Sequence, residues 1–327
     1  MTVNKNIVLE VNSISKWFEQ RTSILNLGVK NWVKSVDKVS FKLHEGEVLG
    51  VIGESGCGKS TLGKVLIQLE SQTDGEILLK GESVSGLIKK DKKLFKRNSQ
   101  MIFQNPFDTF PPRHTIAKIM MRPLEIHKIG SSEEERYDIC KTTLEKAGLK
   151  PGEDFLARYP HELSGGQLQR ISILRSMLLQ PSLLVADEPI SMLDVSVRAD
   201  IINMLIKLTK ENNTAVVFIS HDIAAARYIS DRIAVMYLGR IVEMGNTDEV
   251  IQNPQHPYTQ ALISNCASID ISENEEPIVI TGEPPTPINP GPGCYFASRC
   301  FKATSKCLES YPEYVEKEND HIYSCHY

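Results

Sequence analysis

The sequence contains no apolar run that approaches the ~18 residues of a membrane-spanning helix. Its first residues, Met1 to Asn6, lack the apolar core of a secretory signal. A formal net charge of −4 gives no general case for nucleic acid as the partner, and neither an internal repeat nor a heptad run is present. We therefore expect a cytosolic protein that associates with a membrane only through a partner.

The order of apolar and polar segments predicts an α/β protein. Two fully apolar runs, Leu183 to Ala186 and Ala215 to Ile219, are typical of buried parallel strands. Ile201 to Leu208 lies between them and is predicted to be the crossover helix. Val36 to Leu43 alternates as an antiparallel strand does, whereas residues 19–35 look like a polar, irregular insertion.

Two further segments define the predicted domain organisation. Residues from about 105 to 163 read as a helical insert, in which Ser132 and Glu135 have capping-box spacing and Gly148 is predicted to end the helix. Past Pro257 the composition shifts towards Pro, Gly and Cys, and the stretch from Glu283 to Gly293 cannot be helix or central strand. We predict a first domain over residues 1–260 and a small extension over residues 261–327.

A glycine-rich stretch after the apolar run Val48 to Ile52 is the most informative motif. It follows a predicted strand, precedes a helical segment and reads G-x-x-x-x-G-K-[ST]: Gly53, Glu54, Ser55, Gly56, Cys57, Gly58, Lys59, Ser60, Thr61. Backbone amides of such a loop turn towards phosphate oxygens, and the helix N-terminus adds positive potential. Lys59 would reach the β- and γ-phosphates and the Ser60 hydroxyl would bind Mg²⁺. The stretch predicts a nucleotide site, with the Cys57 thiol near the nucleotide and alkylation of that thiol slowing ATP binding.

Two other segments carry residues suited to phosphate chemistry. The strand that ends at Asp187 delivers a carboxylate that can hold Mg²⁺ through water, and Glu188 directly after it can act as a general base. The segment Leu163, Ser164, Gly165, Gly166, Gln167 precedes a helix with apolar residues on one face. Ser164 is a natural N-cap, and the two glycines leave the first amides of this helix open to an anion.

These motifs, taken in order, resemble the motif set of ABC-type ATPases over roughly residues 7–260. The set is completed by Gln104 after an apolar strand, by Asp194 in Ser-Met-Leu-Asp, and by His221 after Val-Phe-Ile-Ser. The resemblance implies a phosphate-loop (RecA-like) ATPase core with an antiparallel β subdomain, a helical insert and a Cys-rich extension. One departure is Gln-Asn-Pro at 104–106, where Gln-Asp-Pro is frequent; we expect no effect on catalysis.

The resemblance also implies individual roles. Phe18 would stack on adenine, with Trp17 as the alternative. Gln104 would sense Mg²⁺ and the attacking water, Glu188 would be the general base, and His221 would contact the γ-phosphate. Magnesium would be held by Ser60, Gln104 and Asp187.

In this family two ATPase subunits close head to tail around ATP. Leu163 to Gln167 would therefore serve the nucleotide of the opposite subunit, and Asp194 would lie in a dimer-interface loop. ATP would stabilise the pair by mass action and hydrolysis would release it. A heterodimer is the first expectation and a homodimer the alternative.

Four of the seven cysteines lie at the C-terminal end: Cys294, Cys300, Cys307 and Cys325. Four thiolates would satisfy Zn²⁺ or an iron–sulfur cluster, and the spacing alone also leaves free thiols or disulfides open. The sequence around these cysteines, at Asn253 to Leu262 and Gly293 to Cys300, resembles the C-terminal extension of oligopeptide/dipeptide/nickel importer ATPases. That resemblance implies a [4Fe–4S] cluster, with Zn²⁺ as the alternative, and chelation would unfold the extension first.

The resulting functional hypothesis is an importer motor at the cytoplasmic face of the membrane. It would dock on transmembrane permease subunits through Asn105 to Met121 and act indirectly with an extracytoplasmic substrate-binding protein, without nucleic acid. The alternatives are a non-transport ABC protein acting on DNA or the ribosome, and a small-molecule kinase. A single motif set without heptads disfavours the first of these, and the Leu163 to Gln167 segment disfavours the second. The solute, whether peptide, nickel or oligosaccharide, is not encoded in a motor subunit.

Overall fold

The structure is a computed structural model that describes residues 6–20, 30–266 and 277–327. The chain forms two compact units. The first comprises Met1–Val8, His44–Glu47 and Glu82–Val216, and the second comprises Leu9–Leu43, Val48–Gly81 and Val217–Tyr327. In the part of the chain that the structure describes, no helix is both long and apolar enough to cross a membrane.

The strands, in chain order, are β1 (Ile7–Gln20), β2 (Asn31–His44), β3 (Val48–Ile52), β4 (Asp74–Leu79), β5 (Glu82–Ser83), β6 (Ser99–Ile102), β7 (Leu183–Asp187), β8 (Ala215–Ser220), β9 (Arg232–Tyr237), β10 (Arg240–Asn246), β11 (Val315–Lys317) and β12 (His321–Tyr323). The helices are α1 (Lys59–Leu66), α2 (Val84–Asn98), α3 (Ile116–Ile126), α4 (Glu133–Lys146), α5 (Gly152–Ala157), α6 (Gly165–Met177), α7 (Val195–Asn212), α8 (Ile223–Ile229), α9 (Thr247–Gln252), α10 (Pro257–Ser264) and α11 (Ser305–Glu309).

The second unit contains an antiparallel layer and a mixed sheet. In the antiparallel layer the strand order is β2-β1-β4, and β1 pairs with β4 so that Leu9 lies opposite Leu79. In the mixed sheet the order is β11-β12-β10-β9-β3, with β3 parallel to β9 and the other pairs antiparallel. All five residues of β3 are buried, so its carboxyl end delivers the chain directly into the glycine-rich loop.

A tight turn joins the antiparallel strands β9 and β10. Leu238 and Gly239 both have positive φ, 42° and 83°, which matches the turn type that suits the twist of antiparallel strands. A Cβ at Gly239 would lie 2.6 Å from the Lys34 carbonyl oxygen. The Gly239 carbonyl accepts from the Asp37 amide and its amide donates to the Cys57 carbonyl, both at 2.8 Å. Position 239 of the turn therefore requires glycine.

The first unit contains the helical insert, which has its own apolar core. Strands β6 and β7 are parallel, with Ser99 opposite Leu183. Helices α3 to α6 pack around one cluster of buried apolar residues, which includes Ile116, Met120, Leu124, Leu144, Leu156, Leu168 and Ile171.

Helix α4 begins and ends where the sequence predicts. The Ser132 hydroxyl accepts from the Glu135 amide at 3.1 Å, and Gly148 follows the helix with φ 81°. The return bond of the predicted capping box is displaced by one residue, because the Glu135 carboxylate accepts from the Ser131 amide at 2.6 Å.

The predicted irregular insertion at 19–35 is wrong at both ends. Strand β1 continues to Gln20 and β2 already begins at Asn31, so each is 14 residues long. The remainder, residues 21–29, lies outside the described residues. The polar side chains that suggested a loop are tolerated because both strand ends are largely exposed or half-buried.

Candidate active site

The glycine-rich loop connects β3 to α1 in the second unit, as predicted. Its backbone requires glycine at two positions where other backbone atoms approach closely. A Cβ on Gly53 would lie 2.2 Å from the Met236 carbonyl oxygen, and one on Gly58 would lie 1.9 Å from the Ser35 carbonyl oxygen. Ser55, Gly56 and Ser60 are exposed, so the tip of the loop faces solvent.

The Lys59 side chain is held inside the loop. It is only 5% exposed, and its Nζ donates to the carbonyl oxygens of Gly53 and Glu54, both at 2.8 Å. Because two loop carbonyls hold the ammonium group, its positive charge lies inside the curve of the loop. This is the place at which the negative charge of a phosphate would be stabilised most.

Glu54, predicted as one of the nucleotide-binding residues, instead has all its polar groups engaged by protein. Its amide donates to the Tyr258 hydroxyl at 2.8 Å. Its carboxylate accepts two bonds from the Arg299 guanidinium at 2.7 and 3.0 Å. Glu54 therefore fixes the loop backbone, and its own amide is committed to Tyr258. Sequence reasoning missed both partners, although each lies in a segment that it used only as a family marker.

The Cys57 thiol points inward from the loop. The side chain is 1% exposed, its Sγ lies 3.7 Å from Lys59 Nζ, and burial raises the pKa of the thiol despite this cation. The predicted sensitivity of ATP binding to alkylation requires an accessible thiolate, so this geometry argues against it.

Phe18, Trp17 and His221 also belong to the second unit. The Phe18 ring, near the end of β1, is 39% exposed and has Lys16 Nζ 4.9 Å from its centroid. Trp17 is less exposed, and its ring lies beneath Lys34 Nζ at 5.0 Å. Of the two aromatics, Phe18 is therefore the more exposed. His221 follows β8 directly and is exposed.

The first unit brings Gln104 and Glu188 together, although 84 residues separate them. Gln104 Nε2 donates to Glu188 Oε2 at 3.0 Å. Glu188 follows the buried Asp187 at the end of β7 and has a positive φ of 47°. A left-handed conformation costs a non-glycine residue about 1–2 kcal/mol and is frequent at functional positions. The hydrogen bond fixes the orientation of a carboxylate that can accept a proton from water.

Asn105, at the departure from the more frequent aspartate, caps a short turn. Its Oδ1 accepts from the Phe107 amide at 3.1 Å. An aspartate oxygen could accept the same bond, and the absence of an effect on catalysis stays a prediction.

The segment Leu163 to Gln167 forms the start of α6. Ser164 caps the helix, and its hydroxyl accepts from the Gln167 amide at 3.3 Å while the Gln167 side chain accepts from the Ser164 amide at 3.1 Å. The prediction of a one-sided helix is wrong, because the polar residues Gln169, Ser172 and Ser176 are buried as well as the apolar ones. The expectation of open amides is wrong for Gln167, whose amide is occupied by the cap.

Asp194 precedes α7 in an exposed loop. Two large apolar neighbours are strongly exposed there, Met192 at 62% and Val195 at 79%. Exposed apolar side chains beside a charged loop residue are typical of a surface that another chain covers.

The four C-terminal cysteines lie around one cavity in the second unit, together with His256 and His326. The Cys294 amide donates to the Cys307 carbonyl at 2.8 Å, which ties two of them together. Burial raises the pKa of the Cys294 thiol to about 11, and the three neighbouring cysteines contribute to the rise. Four thiols around one cavity are a donor set that fits zinc or an iron–sulfur cluster. Within the described ranges, however, no group of three or more His, Cys, Asp or Glu side chains is already placed to hold a metal ion.

The extension is not an isolated appendage. Phe296 is 1% exposed and packs against Tyr237 and Tyr258, with ring centroids 5.2 and 5.3 Å apart. The extension thus shares an apolar core with the rest of the second unit.

Two family models match the chain. Residues 36–191 match the model described as ABC transporter, and residues 242–307 match the C-terminal region of oligopeptide/dipeptide transporters. Among solved structures, the dimeric post-hydrolysis state of the ATP-binding cassette MJ0796 bound to ADP and Pi is similar, with a TM-score of 0.64 and 27% identity over 73% of this chain and 98% of that chain.

Curated relatives extend this similarity over almost the whole sequence. The chain is 44% identical to the oligopeptide transport ATP-binding protein AppF of Bacillus subtilis, over 99% of this chain and 98% of the relative. It is 45% identical to the dipeptide transport ATP-binding protein DppF of Haemophilus influenzae, over 90% of this chain and 89% of the relative.

Fold and motif geometry together define an ATP-binding cassette ATPase, a class of enzyme that hydrolyses ATP. Within that class, the chain belongs to the oligopeptide/dipeptide family of ABC transporter ATP-binding proteins. The predicted family, fold class and ATPase activity are thereby confirmed.

Proposed function

We propose that this protein is the ATP-hydrolysing motor subunit of an ABC importer for peptides. The observation that carries the proposal is the similarity of the whole chain, extension included, to oligopeptide and dipeptide transport ATP-binding proteins. No relative named above is a DNA- or ribosome-acting protein, so the non-transport alternative has no comparable support. Nickel and oligosaccharides remain the competing solute classes.

The site residues have distinct roles in the proposed cycle. The loop Gly53 to Thr61 binds the triphosphate, with Lys59 supplying the positive charge, and Phe18 stacks on the base. When bound, Mg²⁺ neutralises charge on the phosphates, and Ser60, Gln104 and Asp187 would hold it.

For hydrolysis, Glu188 acts as the general base on the attacking water. The hydrogen bond from Gln104 Nε2 keeps its carboxylate in one orientation, and His221 contacts the γ-phosphate. Each of these residues either touches the nucleotide or orients a group that does.

A second ATPase subunit completes the site. Leu163 to Gln167 and Asp194 contact the nucleotide and surface of that partner, and the exposed Met192 and Val195 support a covered loop. The related MJ0796 cassette is described as a dimer. We propose a heterodimer, with a homodimer as the alternative.

Permease subunits dock on the segment Asn105 to Met121 at the cytoplasmic face of the membrane. Phe107 in this segment is 47% exposed, as expected for an apolar side chain that a partner covers. An extracytoplasmic binding protein supplies the solute indirectly, and no nucleic acid takes part.

The four cysteines Cys294, Cys300, Cys307 and Cys325 hold a [4Fe–4S] cluster, with Zn²⁺ as the alternative. The support is that all four thiols line one cavity. Iron and sulfide analysis of anaerobically purified protein tests this: about four irons per chain are expected for a cubane cluster. Stoichiometric zinc without iron would show a zinc site in place of the cluster. If the purified protein contains neither metal, the proposal of a metal site is refuted.

The motor proposal is tested by Glu188→Gln protein mixed with its partner subunit and saturating Mg-ATP. Loss of the general base should lower turnover by about 10²–10⁴-fold while ATP still tightens the pair, as measured by analytical ultracentrifugation. Unchanged turnover together with unchanged pairing would contradict the proposal. Peptide uptake by vesicles that contain the whole complex, compared with nickel and oligosaccharide uptake, tests the solute class.

A further inference from the structure

We propose that two residues that follow β10, Tyr258 in α10 and Arg299 in the C-terminal extension, set the conformation of the phosphate loop and act as positioning residues for ATP binding. The inference rests on the ATPase activity and is independent of the transported solute. It assigns to this part of the chain a role in nucleotide affinity that is separate from any metal that the cysteines hold.

The first contact is a paired ion bridge between the extension and the loop. The two terminal nitrogens of Arg299 contact the two carboxylate oxygens of Glu54 at 2.7 and 3.0 Å. The Arg299 side chain is 7% exposed and that of Glu54 is 26% exposed. A two-pronged arginine–carboxylate pair that is shielded from solvent is stronger and more directional than a surface ion pair.

Arg299 is itself held by two further contacts, one within the extension and one to the end of β9. Its guanidinium also donates to the Gly282 carbonyl at 2.8 Å and to the Tyr237 hydroxyl at 3.4 Å. It lies in a short 3₁₀ turn, Ala297–Arg299, that begins after the buried Phe296. Because these contacts fix the guanidinium before it meets Glu54, the pair transmits the position of the extension to the loop.

The second contact fixes the loop backbone. Tyr258 is fully buried between Tyr237 and Phe296, and its hydroxyl accepts from the Glu54 amide at 2.8 Å. Tyr258 therefore binds the main chain of Glu54, and Arg299 binds its side chain. The Glu54 carbonyl faces Lys59 Nζ at 2.8 Å, so a displaced Glu54 would also displace the ammonium group.

Electrostatics gives the contact a direct effect on affinity. Glu54 puts a negative charge on a loop that must bind a polyanion, and Arg299 compensates it. Removing Arg299 would leave that carboxylate unpaired beside the triphosphate, whereas removing both charges would restore the balance. A contact that served only to stabilise the fold would not predict this rescue.

The test compares ATP affinity in full-length Arg299→Ala, Glu54→Gln and the double variant. Equilibrium titration with a fluorescent ATP analogue should show a Kd raised about tenfold in Arg299→Ala, as expected for one unpaired charge. The Kd of the double variant should return to within about threefold of Glu54→Gln, the range in which single contacts vary. The matched control is Lys302→Ala, because Lys302 Nζ contacts Gln260 and lies in the same segment.

Metal content and the thermal midpoint are measured for every variant. These measurements distinguish unfolding of the extension from loss of the Arg299–Glu54 contact alone. Wild-type Kd in a folded Arg299→Ala protein, or no recovery in the double variant, would overturn the proposal. If Arg299→Ala fails to fold, Tyr258→Phe decides instead: it keeps the buried ring and removes only the hydroxyl, and an unchanged Kd would again overturn the proposal. Failure of the wild-type protein to bind ATP would instead refute the nucleotide site itself.

Discussion

The two glycines at the start of α6 should respond oppositely to alanine. A Cβ on Gly165 would have its nearest neighbour, the Leu193 Cδ2 atom, at 4.0 Å, which is ordinary van der Waals contact. A Cβ on Gly166 would lie 2.7 Å from Cγ1 of Val197, in the first turn of α7. Carbon atoms pack best at about 3.5–4.0 Å, so either α7 or the Val197 side chain must shift.

The magnitudes separate the two variants. Alanine is favoured over glycine in a helix by up to about 1 kcal/mol, so Gly165→Ala should leave the protein equally or more stable. In Gly166→Ala the same gain is opposed by an overlap that typically costs about 1–3 kcal/mol. We expect Gly166→Ala to unfold below Gly165→Ala by several degrees, at roughly 2–4 °C per kcal/mol for units of this size.

Thermal unfolding without nucleotide measures the difference, and Val197→Ala provides the control. In the double variant, Val197→Ala removes the Cγ1 atom that the new methyl group of Gly166→Ala would meet. The double variant should therefore be more stable than the sum of the two single losses of stability predicts. A Gly166→Ala protein as stable as Gly165→Ala, or strictly additive effects with Val197→Ala, would refute the packing argument. Gly165→Ala then serves to test the proposed contact with the partner's nucleotide in a protein whose fold is intact.

Three further outcomes follow from the geometry. Gln104→Ala should lower the turnover number about tenfold or more, since it removes the hydrogen bond that orients the Glu188 carboxylate; a steady-state assay showing a raised KM for ATP with an unchanged turnover number would contradict this. Iodoacetamide should label Cys57 at least about tenfold more slowly than the half-buried Cys266, because buried thiols of raised pKa are inert; comparable labelling by peptide mass spectrometry would show an open loop. Burial lowers the pKa of His256 to about 3, so the unfolded state binds a proton that the native state does not between pH ~6.5 and ~3, and stability must fall as pH falls. Between pH 7 and 5 the loss is about 2 kcal/mol, and urea unfolding of His256→Asn, which keeps a capping group, should lack it; an equal loss in both proteins would exclude His256 as the source.

Sequence reasoning located the residues that act locally and missed the contacts that depend on distant segments. The glycine-rich loop, the acidic end of β7 and the α4 cap depend on neighbouring residues, and the structure places them as predicted. The separate roles of Gln104 and Glu188 follow only from the family resemblance, and the sequence does not predict the hydrogen bond between them. The Arg299 contact joins residues 245 positions apart, and no periodicity or spacing encodes such a distance.

The expectations for residues 19–35 and for α6 fail because a polar side chain need not lie in a loop or face solvent. The ends of β1 and β2 are polar because edge and half-buried strands tolerate polar side chains, and α6 contains buried Gln169, Ser172 and Ser176 among its apolar residues. Membership of the glycine-rich loop predicts the Cys57 thiol near the nucleotide, yet its side chain is buried inside the loop. Side-chain direction within a tight loop is set by the surrounding backbone, which a motif does not describe.

Reverse turns between adjacent strands are usually the first choice for inserting a tag or a fluorescent domain, since they lie at the surface and tolerate extra residues. The connection from β9 to β10 is an exception in this protein. Through the two main-chain bonds of Gly239, it joins β2 to the ATP-binding loop at Cys57. An insertion there would separate those two elements and disable the enzyme, so engineering of this ATPase should avoid the shortest turn of the second unit's mixed sheet.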